Sequence, residues 1–382
     1  MLKVGILPYI YLILIYFLLS FTSYVSRNKI FFYLAILFVL IFVGFKDIMT
    51  PDFENYAIVF ENIEDIRTGI LEPSFTVISK ILKILGFDYY ALFFLYSFLT
   101  ILFILLGIKE LTNHQIFSFL LFLLVPGFFL NMFVQMRQTL SVAITFYSIS
   151  LLLNKKKFWF LFALISIITH YSAGWFWLIL TFAYKFLSRN PSFKFYAIIL
   201  IFSFVAVAVF RFDIYTFKIF IVPLLKIIPF FQKYIYYVEQ VLNEEIEQVS
   251  FQVFKNIFYI INNLFWIYII SKESKFGQKS HHDKISRDIK LLNLIFIGIL
   301  ILNISFYFAP ISRLAYYFFI FQIVLIPNGI SYIKQKELKF LSLYTFTMLY
   351  FLMFIKGLFY SLEGGQEYPF LNYKNILLQK IF

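Results

Sequence analysis

Apolar residues run along this chain in long, nearly unbroken stretches, and the polar residues gather in short clusters between them. Runs of spanning length occupy about 4–24, 30–46, 89–108, 116–131, 136–153, 158–184, 195–211, 254–271, 289–308, 314–330 and 340–359. A helix needs roughly 20 apolar residues to cross a bilayer core of ~30 Å. The pattern therefore predicts an all-α, polytopic integral membrane protein with about 11–12 transmembrane helices. The run at 158–184 is interrupted by THYSAG, which predicts a broken or re-entrant pair of helices. No internal repeat and no linker to a soluble domain is visible, so residues 1–382 read as one transmembrane domain.

The charges between the runs orient them. RNK (27–29), KELTNH (109–114), NKKK (154–157), KFLSRN (185–190), the loop at about 272–289 and KQKELK (334–339) are mostly basic. By the positive-inside rule these belong in the cytoplasm. The stretches 47–88 and 212–252 carry acidic clusters, and with the polar tail at about 360–382 they belong outside. This alternation places both termini outside and predicts short amphipathic helices within the outer loop at 47–88. The N-terminal run passes into a second span with no small-residue cleavage site, as a signal anchor or first span does.

Composition supports this reading. The chain is 62% hydrophobic and only 14% charged, with a mean hydropathy of +0.86. A net charge of +13 would suggest nucleic acid in a soluble protein. Here the lysines sit in short loops and act as topology signals, so no nucleic-acid partner is expected. The absence of cysteine excludes a disulfide framework, thiolate catalysis and Cys-ligated metal.

Several polar residues fall on or near the predicted outer face. Arg137, in FVQMRQTLSV, has Gln135 and Gln138 beside it and no carboxylate nearby in sequence. A charge in hydrocarbon costs about 2.5 kcal/mol or more, so the residue needs either water or a partner. On a helix, Arg137, Ser141 and Ser148 share one face. A guanidinium at a helix start suits phosphate oxygens, which its planar fork grips in pairs; the structural alternative is an arginine snorkelling to water. His170, beside Ser172, Ala173 and Gly174, suits a general base, a phosphate-binding cation or a packing residue. Asp52, Tyr56, Glu72 and Pro73 suit sugar hydroxyls or a base, although Pro51 after Thr50 also reads simply as a helix start. Arg313, after Pro310, is a second arginine at the start of a span, so Arg137 and Arg313 could clamp a diphosphate. No second histidine or carboxylate stands at metal-ligand spacing, so no metal site is expected.

The order of these motifs is similar to that of a known family. GFKDIMTPDFENY, EPSFTVISKILKILG, MRQTLSVAI, ITHYSAGWF and a late SRLAYYF together resemble the EpsG family of bacterial membrane proteins, related to Wzy-type polymerases. The most specific parts are Arg137–Gln138 and the set His170, Ser172, Ala173; Lys46 stands where family members often have arginine. The resemblance implies a GT-C-like bundle in the bacterial cytoplasmic membrane. It implies a glycosyltransferase that joins undecaprenyl-diphosphate-linked oligosaccharide repeat units into O-antigen, capsule or exopolysaccharide, without metal or cofactor. His170, Asp52 and Glu72 become the catalytic candidates, and Arg137, Gln138, Arg313, Tyr56 and Ser172 the substrate-binding ones. The expected partners are lipid-linked donor and acceptor, the bilayer and, beyond these, a candidate chain-length regulator. The alternatives are a flippase for the same lipid-linked oligosaccharide, or an outward-facing ligase or acyltransferase.

Overall fold

The computed structural model describes residues 2–47, 50–64, 72–190, 192–210, 249–276, 282–305, 312–359 and 369–377. Among these residues the regular structure is helical, with one isolated bridge between Lys46 and Asn375. Among the described residues, five helices are long and apolar enough to cross a membrane, or six if one bent pair counts as a single span. The protein is thus all-α and polytopic, as its hydrophobic pattern predicts. The chain groups into two compact units, Met1–Trp177 with Ile326–Phe382, and Leu178–Leu325.

The first unit holds α1 (Leu2–Ser26), α2 (Lys29–Gly44), α3 (Pro51–Glu61), α4 (Pro73–Ile84), α5 (Tyr89–Leu111), α6 (Gln115–Leu124), α7 (Pro126–Phe129), α8 (Met136–Leu153) and α9 (Trp159–Thr169). The helix α10 (Ser172–Leu187) begins in it, and α16 (Lys336–Leu358) belongs to it. Helices α5 and α8 pack closely because Gly107 leaves room for the Phe146 ring, which a Cβ at position 107 would strike. The serines of the polar stripe on α8 bind α9. Ser141 Oγ donates to the Ser166 carbonyl at 2.8 Å, and Ser148 Oγ donates to the Trp159 carbonyl at 2.6 Å. In apolar surroundings such bonds act as interhelical glue.

The two ends of this unit differ in charge. At one end Asn154 Nδ2 donates to the Glu110 carbonyl at 2.9 Å, and Lys156 pairs with Glu110 at 2.7 Å. Lys109, Lys155 and Lys157 are there too. The opposite end carries Asp47, Asp52, Glu54, Glu61, Glu72 and Asp88, together with α3, α4 and the starts of α5 and α8. The helix starts follow local rules. Thr50 precedes Pro51, Asp52 and Glu54 occupy the first turn of α3, and Asp88 accepts the Tyr90 and Ala91 amides.

The described tail returns to this acidic end. Leu371 lies against Gly5 of α1, where a Cβ would collide with its carbonyl oxygen. Tyr373 stacks on Phe42 at 4.1 Å, and Asn375 Nδ2 donates to the Ile41 carbonyl at 3.2 Å. Two amides complete the seam: Asp47 N donates to the Lys374 carbonyl at 3.0 Å, and Ile376 N to the Phe45 carbonyl at 2.9 Å.

In the second unit α11 (Phe193–Phe210), α12 (Val249–Phe276) and α13 (His282–Ile304) precede the short α14 (Tyr316–Phe319). The helix α15 (Gln322–Tyr332) begins in this unit. Asparagines bind the helices to one another. Asn293 accepts the Tyr196 hydroxyl at 2.7 Å and donates to the Leu187 carbonyl at 2.8 Å. Asn303 accepts from Asn256 at 3.2 Å and donates to Ser203 at 2.9 Å.

Two boundaries differ from those the hydrophobic pattern predicts. The stretch 116–131 is not one straight span: it bends by 76° between α6 and the segment after Pro126, whose ring cannot continue a helix. The loop expected at 272–289 is largely helix, since α12 runs to Phe276 and α13 starts at His282. Charged residues end a hydrophobic run but not a helix, so the backbone continues past the point where apolarity stops. Most of the expected outer loop at 212–252, and the parts of the tail at 360–368 and 378–382, lie outside the described residues.

Packing of α5 on α8 predicts the effect of filling the Gly107 notch. Gly107→Val should destabilise the purified protein by about 1–3 kcal/mol, the usual cost of overpacking, seen as a lower unfolding temperature in detergent. An unchanged temperature would show that Phe146 moves aside freely.

Candidate functional site

At the acidic end of the first unit, three elements bring their polar residues together. Glu72 occupies the N-cap position of α4, Arg137 lies in the first turn of α8, and His170 caps the C-terminus of α9. Arg137 Nη1 donates to Glu72 Oε2, a partner 65 residues away in sequence. The guanidinium that has no carboxylate beside it in sequence is therefore paired in the fold. The pair is mostly buried, with side-chain exposures of 21% for Arg137 and 11% for Glu72.

Aromatic rings hold the guanidinium in place. Its centre stands 5.0 Å from the Tyr56 ring and 5.3 Å from the Phe75 ring, within cation–π range. Beneath lie Phe53, Phe75, Phe93, Tyr96, Met136 and Leu140, contributed by α3, α4, α5 and α8. Arg137 Nε is buried and has no hydrogen-bond partner among the described residues. Burial raises the Tyr56 phenol above its ordinary range while the neighbouring Arg137 opposes that shift, so Tyr56 stays protonated. Asp52, one helical turn before Tyr56 and half-exposed, acts on the same phenol electrostatically.

The helix break at THYSAG has a defined role for its histidine. The Ser172 amide donates to His170 Nδ1 at 3.3 Å, and Ser172 Oγ lies 3.0 Å from the same nitrogen. A ring nitrogen that accepts an amide hydrogen carries no proton of its own, so this geometry fits the tautomer protonated at Nε2. Glu72 Oε1 is 4.0 Å from Nδ1. Serine and carboxylate thus approach the same ring nitrogen, which differs from a hydrolase triad, where they hold opposite ones.

The structure gathers Asp52, Tyr56, Glu72, Arg137, His170 and Ser172 within the first unit. Gln138 is there as well, but it is buried. Arg313 belongs to the second unit, where it heads the 3-10 turn Arg313–Ala315 with an exposed side chain. Among the described residues no group of three or more His, Asp or Glu is arranged to hold a metal.

One contributor carries no chemical motif. Lys46, 1% exposed, donates from Nζ to the Met132 carbonyl at 2.7 Å and to Ser97 Oγ at 3.4 Å. Its ammonium also sits 4.5 Å from the Phe53 ring. Thr50 Oγ1 donates to the Phe133 carbonyl at 3.1 Å. Together they fasten the turn Leu130–Phe133 that leads directly into Arg137. The sequence signals for Lys46 were a lone cation closing an apolar run and its place in the motif GFKDIMTPDFENY.

With this geometry in hand, comparison with known families is decisive: the EpsG family matches residues 29–375, nearly the whole chain. The chain belongs to the EpsG family. EpsG proteins are a family of Wzy-like polysaccharide polymerases, and of the motifs that carry the resemblance all but SRLAYYF lie in the first unit. No match was found among curated proteins or solved structures.

Lys46 is the donor that the buried Met132 carbonyl relies on, and leaving such an acceptor unpaired costs about 1–3 kcal/mol. Lys46→Met should therefore lower the unfolding temperature and, by loosening the turn into α8, shorten the polymer, whereas Lys46→Arg should retain both. Gel profiles of polymer from cells with equal protein levels would check this; full-length polymer from Lys46→Met would separate Lys46 from function.

Proposed function

We propose that this EpsG-family protein joins undecaprenyl-diphosphate-linked oligosaccharide repeat units at the outer face of a bacterial cytoplasmic membrane, with the Glu72–Arg137–His170 cluster as its reaction centre. The observation that carries the reading is the convergence of a cation, a carboxylate and a histidine from three distant helix ends. Separation of acidic and basic ends in the first unit supports the outward orientation, because basic loops stay in the cytoplasm.

In this mechanism Arg137 exchanges Glu72 for the oxygens of the donor's diphosphate. The exchange is feasible because the guanidinium has more donors than one carboxylate satisfies, Nε among them. Glu72, released from its cation, accepts the proton of the acceptor hydroxyl. That oxygen bonds to the anomeric carbon as the bond from that carbon to the diphosphate oxygen breaks. The leaving lipid diphosphate keeps the electron pair, and Arg137 stabilises its charge. His170, donating from Nε2, holds a phosphate or sugar oxygen. Asp52 and Tyr56 orient sugar hydroxyls, while Gln138 and Ser172 support Arg137 and His170 from behind. In the full reading a chain-length regulator joins as a partner.

Arg137→Ala and His170→Ala should leave the protein inserted and abundant while single repeat units accumulate in place of polymer. Arg137→Lys keeps the charge but not the fork, and should lower the elongation rate at least about tenfold, the equivalent of ~1.4 kcal/mol. Purified protein in liposomes, given lipid-linked repeat units alone, would show this directly. Normal-length polymer from both alanine variants would end the assignment, and movement of substrate across the bilayer without elongation would favour a flippase.

A further inference from the structure

The two short helices that follow α2 present opposite outer faces. The exposed face of α3 is mostly polar, with Glu54, Asn55, Glu61 and Asn62 around a single exposed Ile58. The exposed face of α4 is apolar: Pro73, Val77, Ile81 and Ile84 recur at intervals of four, four and three, and Leu85 and Phe87 continue the stripe. Ile84 is 84% exposed, Leu85 63% and Val77 54%. The inward side of α4 is already used, since Phe75, Ile78 and Leu82 pack on the core beneath the site. An apolar stripe of this length left in water would be a liability.

What covers it follows from how α4 is connected. A helix of 12 residues is about 18 Å long, too short to cross a ~30 Å core. Its C-terminal end nevertheless lies four residues from the start of α5, a membrane span that opens with Tyr89 and Tyr90. Adjacent tyrosines at a span's mouth are typical of the membrane–water boundary. Helix α4 is therefore tethered by a short connection to that boundary. Lys80 and Lys83 border the stripe where headgroup phosphates would lie, and Lys83 Nζ also donates to the Glu61 carbonyl at 2.6 Å, tying α4 to the end of α3.

We infer that α4 lies in the plane of the bilayer, its Val77–Ile81–Ile84 stripe sunk among phospholipid acyl chains at the headgroup boundary, so that Glu72 at its head meets a lipid-anchored substrate arriving from within the leaflet. The seating stands on the helix itself. The substrate path rests on the proposed function, with Glu72 and Arg137 as its terminus. A lipid-linked diphosphate approaching along α4 stays at phosphate depth throughout, and only its sugars rise toward the polar face of α3.

The chain contains no cysteine, so single nitroxide labels can be placed without background. Val77→Cys, Ile81→Cys and Ile84→Cys, with Glu54→Cys and Asn55→Cys as references, go into the full chain in liposomes of phosphatidylethanolamine and phosphatidylglycerol. The first three labels should be relaxed by oxygen and shielded from a water-soluble nickel chelate, and the two references should show the reverse. Labels at 77, 81 and 84 as open to nickel as the references would overturn the seating. Shielding from both reagents would also overturn it, since that marks cover by protein or by a second copy. Substrate arrival is tested separately with Ile81→Glu, which should raise the half-saturating concentration of lipid-linked repeat unit several-fold and leave a short-chain, water-soluble analogue unaffected. Equal loss with both substrates would overturn the lateral path while leaving the seating result intact. Normal polymer from Arg137→Ala would overturn the reaction centre without touching either label pattern.

Discussion

An arginine near the end of a membrane helix has to be solvated by something, and in this protein that something is Glu72. The pairing crosses 65 residues of sequence and brings the head of α4 onto the first turn of α8. Removing one partner from a buried pair typically costs about 3–5 kcal/mol, because the remaining charge is left in a medium that cannot solvate it. Exposures of 21% and 11% leave this pair partly wet, so its contribution lies below that range. Its structural consequence is larger than its energy. With α4 docked, Tyr56 and Phe75 can flank the guanidinium, and the aromatic cluster beneath α3 and α4 can close.

The pair would be poorly aimed without the frame behind it. Lys46 and Thr50 hold consecutive carbonyls, Met132 and Phe133, and so fix the turn that carries the chain into α8. The returning tail then locks the segment that holds Lys46, through the bridge to Asn375 and the stacking of Tyr373 on Phe42. A residue near the end of the chain thus helps to set the position of an arginine near its middle. The support is second-hand and made largely of hydrogen bonds to backbone carbonyls, groups that a membrane protein can least leave unpaired.

Long apolar runs made the spans legible in the sequence, because a bilayer demands length and hydrophobicity and little else. The starts of α3 and α4 were legible too, since proline at the first helical position leaves few alternatives. The Glu72–Arg137 pair was not, because sequence separation says nothing about which carboxylate a guanidinium will meet; Arg137 looked isolated, and Glu72 looked like a candidate base. His170 could be singled out, but its tautomer could not, since that depends on one backbone amide at 3.3 Å. The bend at Pro126 lay inside a run whose hydropathy never falters, and hydropathy does not register a missing N–H. The family was legible because its motifs are short, ordered and polar within an apolar background, where each polar residue is costly to keep.

The same cost explains why one ion pair can serve both the fold and the chemistry. In the absence of substrate, Glu72 neutralises Arg137 and keeps a cation from standing alone beside two aromatic rings. A diphosphate carries more negative charge than one carboxylate and offers more oxygens to a five-donor fork, so it competes for Arg137 on favourable terms. In the proposed mechanism the displaced Glu72 then loses its counter-ion at the moment when a base is needed, with the His170 ring 4.0 Å away. A site arranged in this way holds its base paired until the leaving group is in place. Under the same proposal, water entering alone finds Glu72 still occupied with Arg137, which favours transfer to an acceptor sugar over hydrolysis.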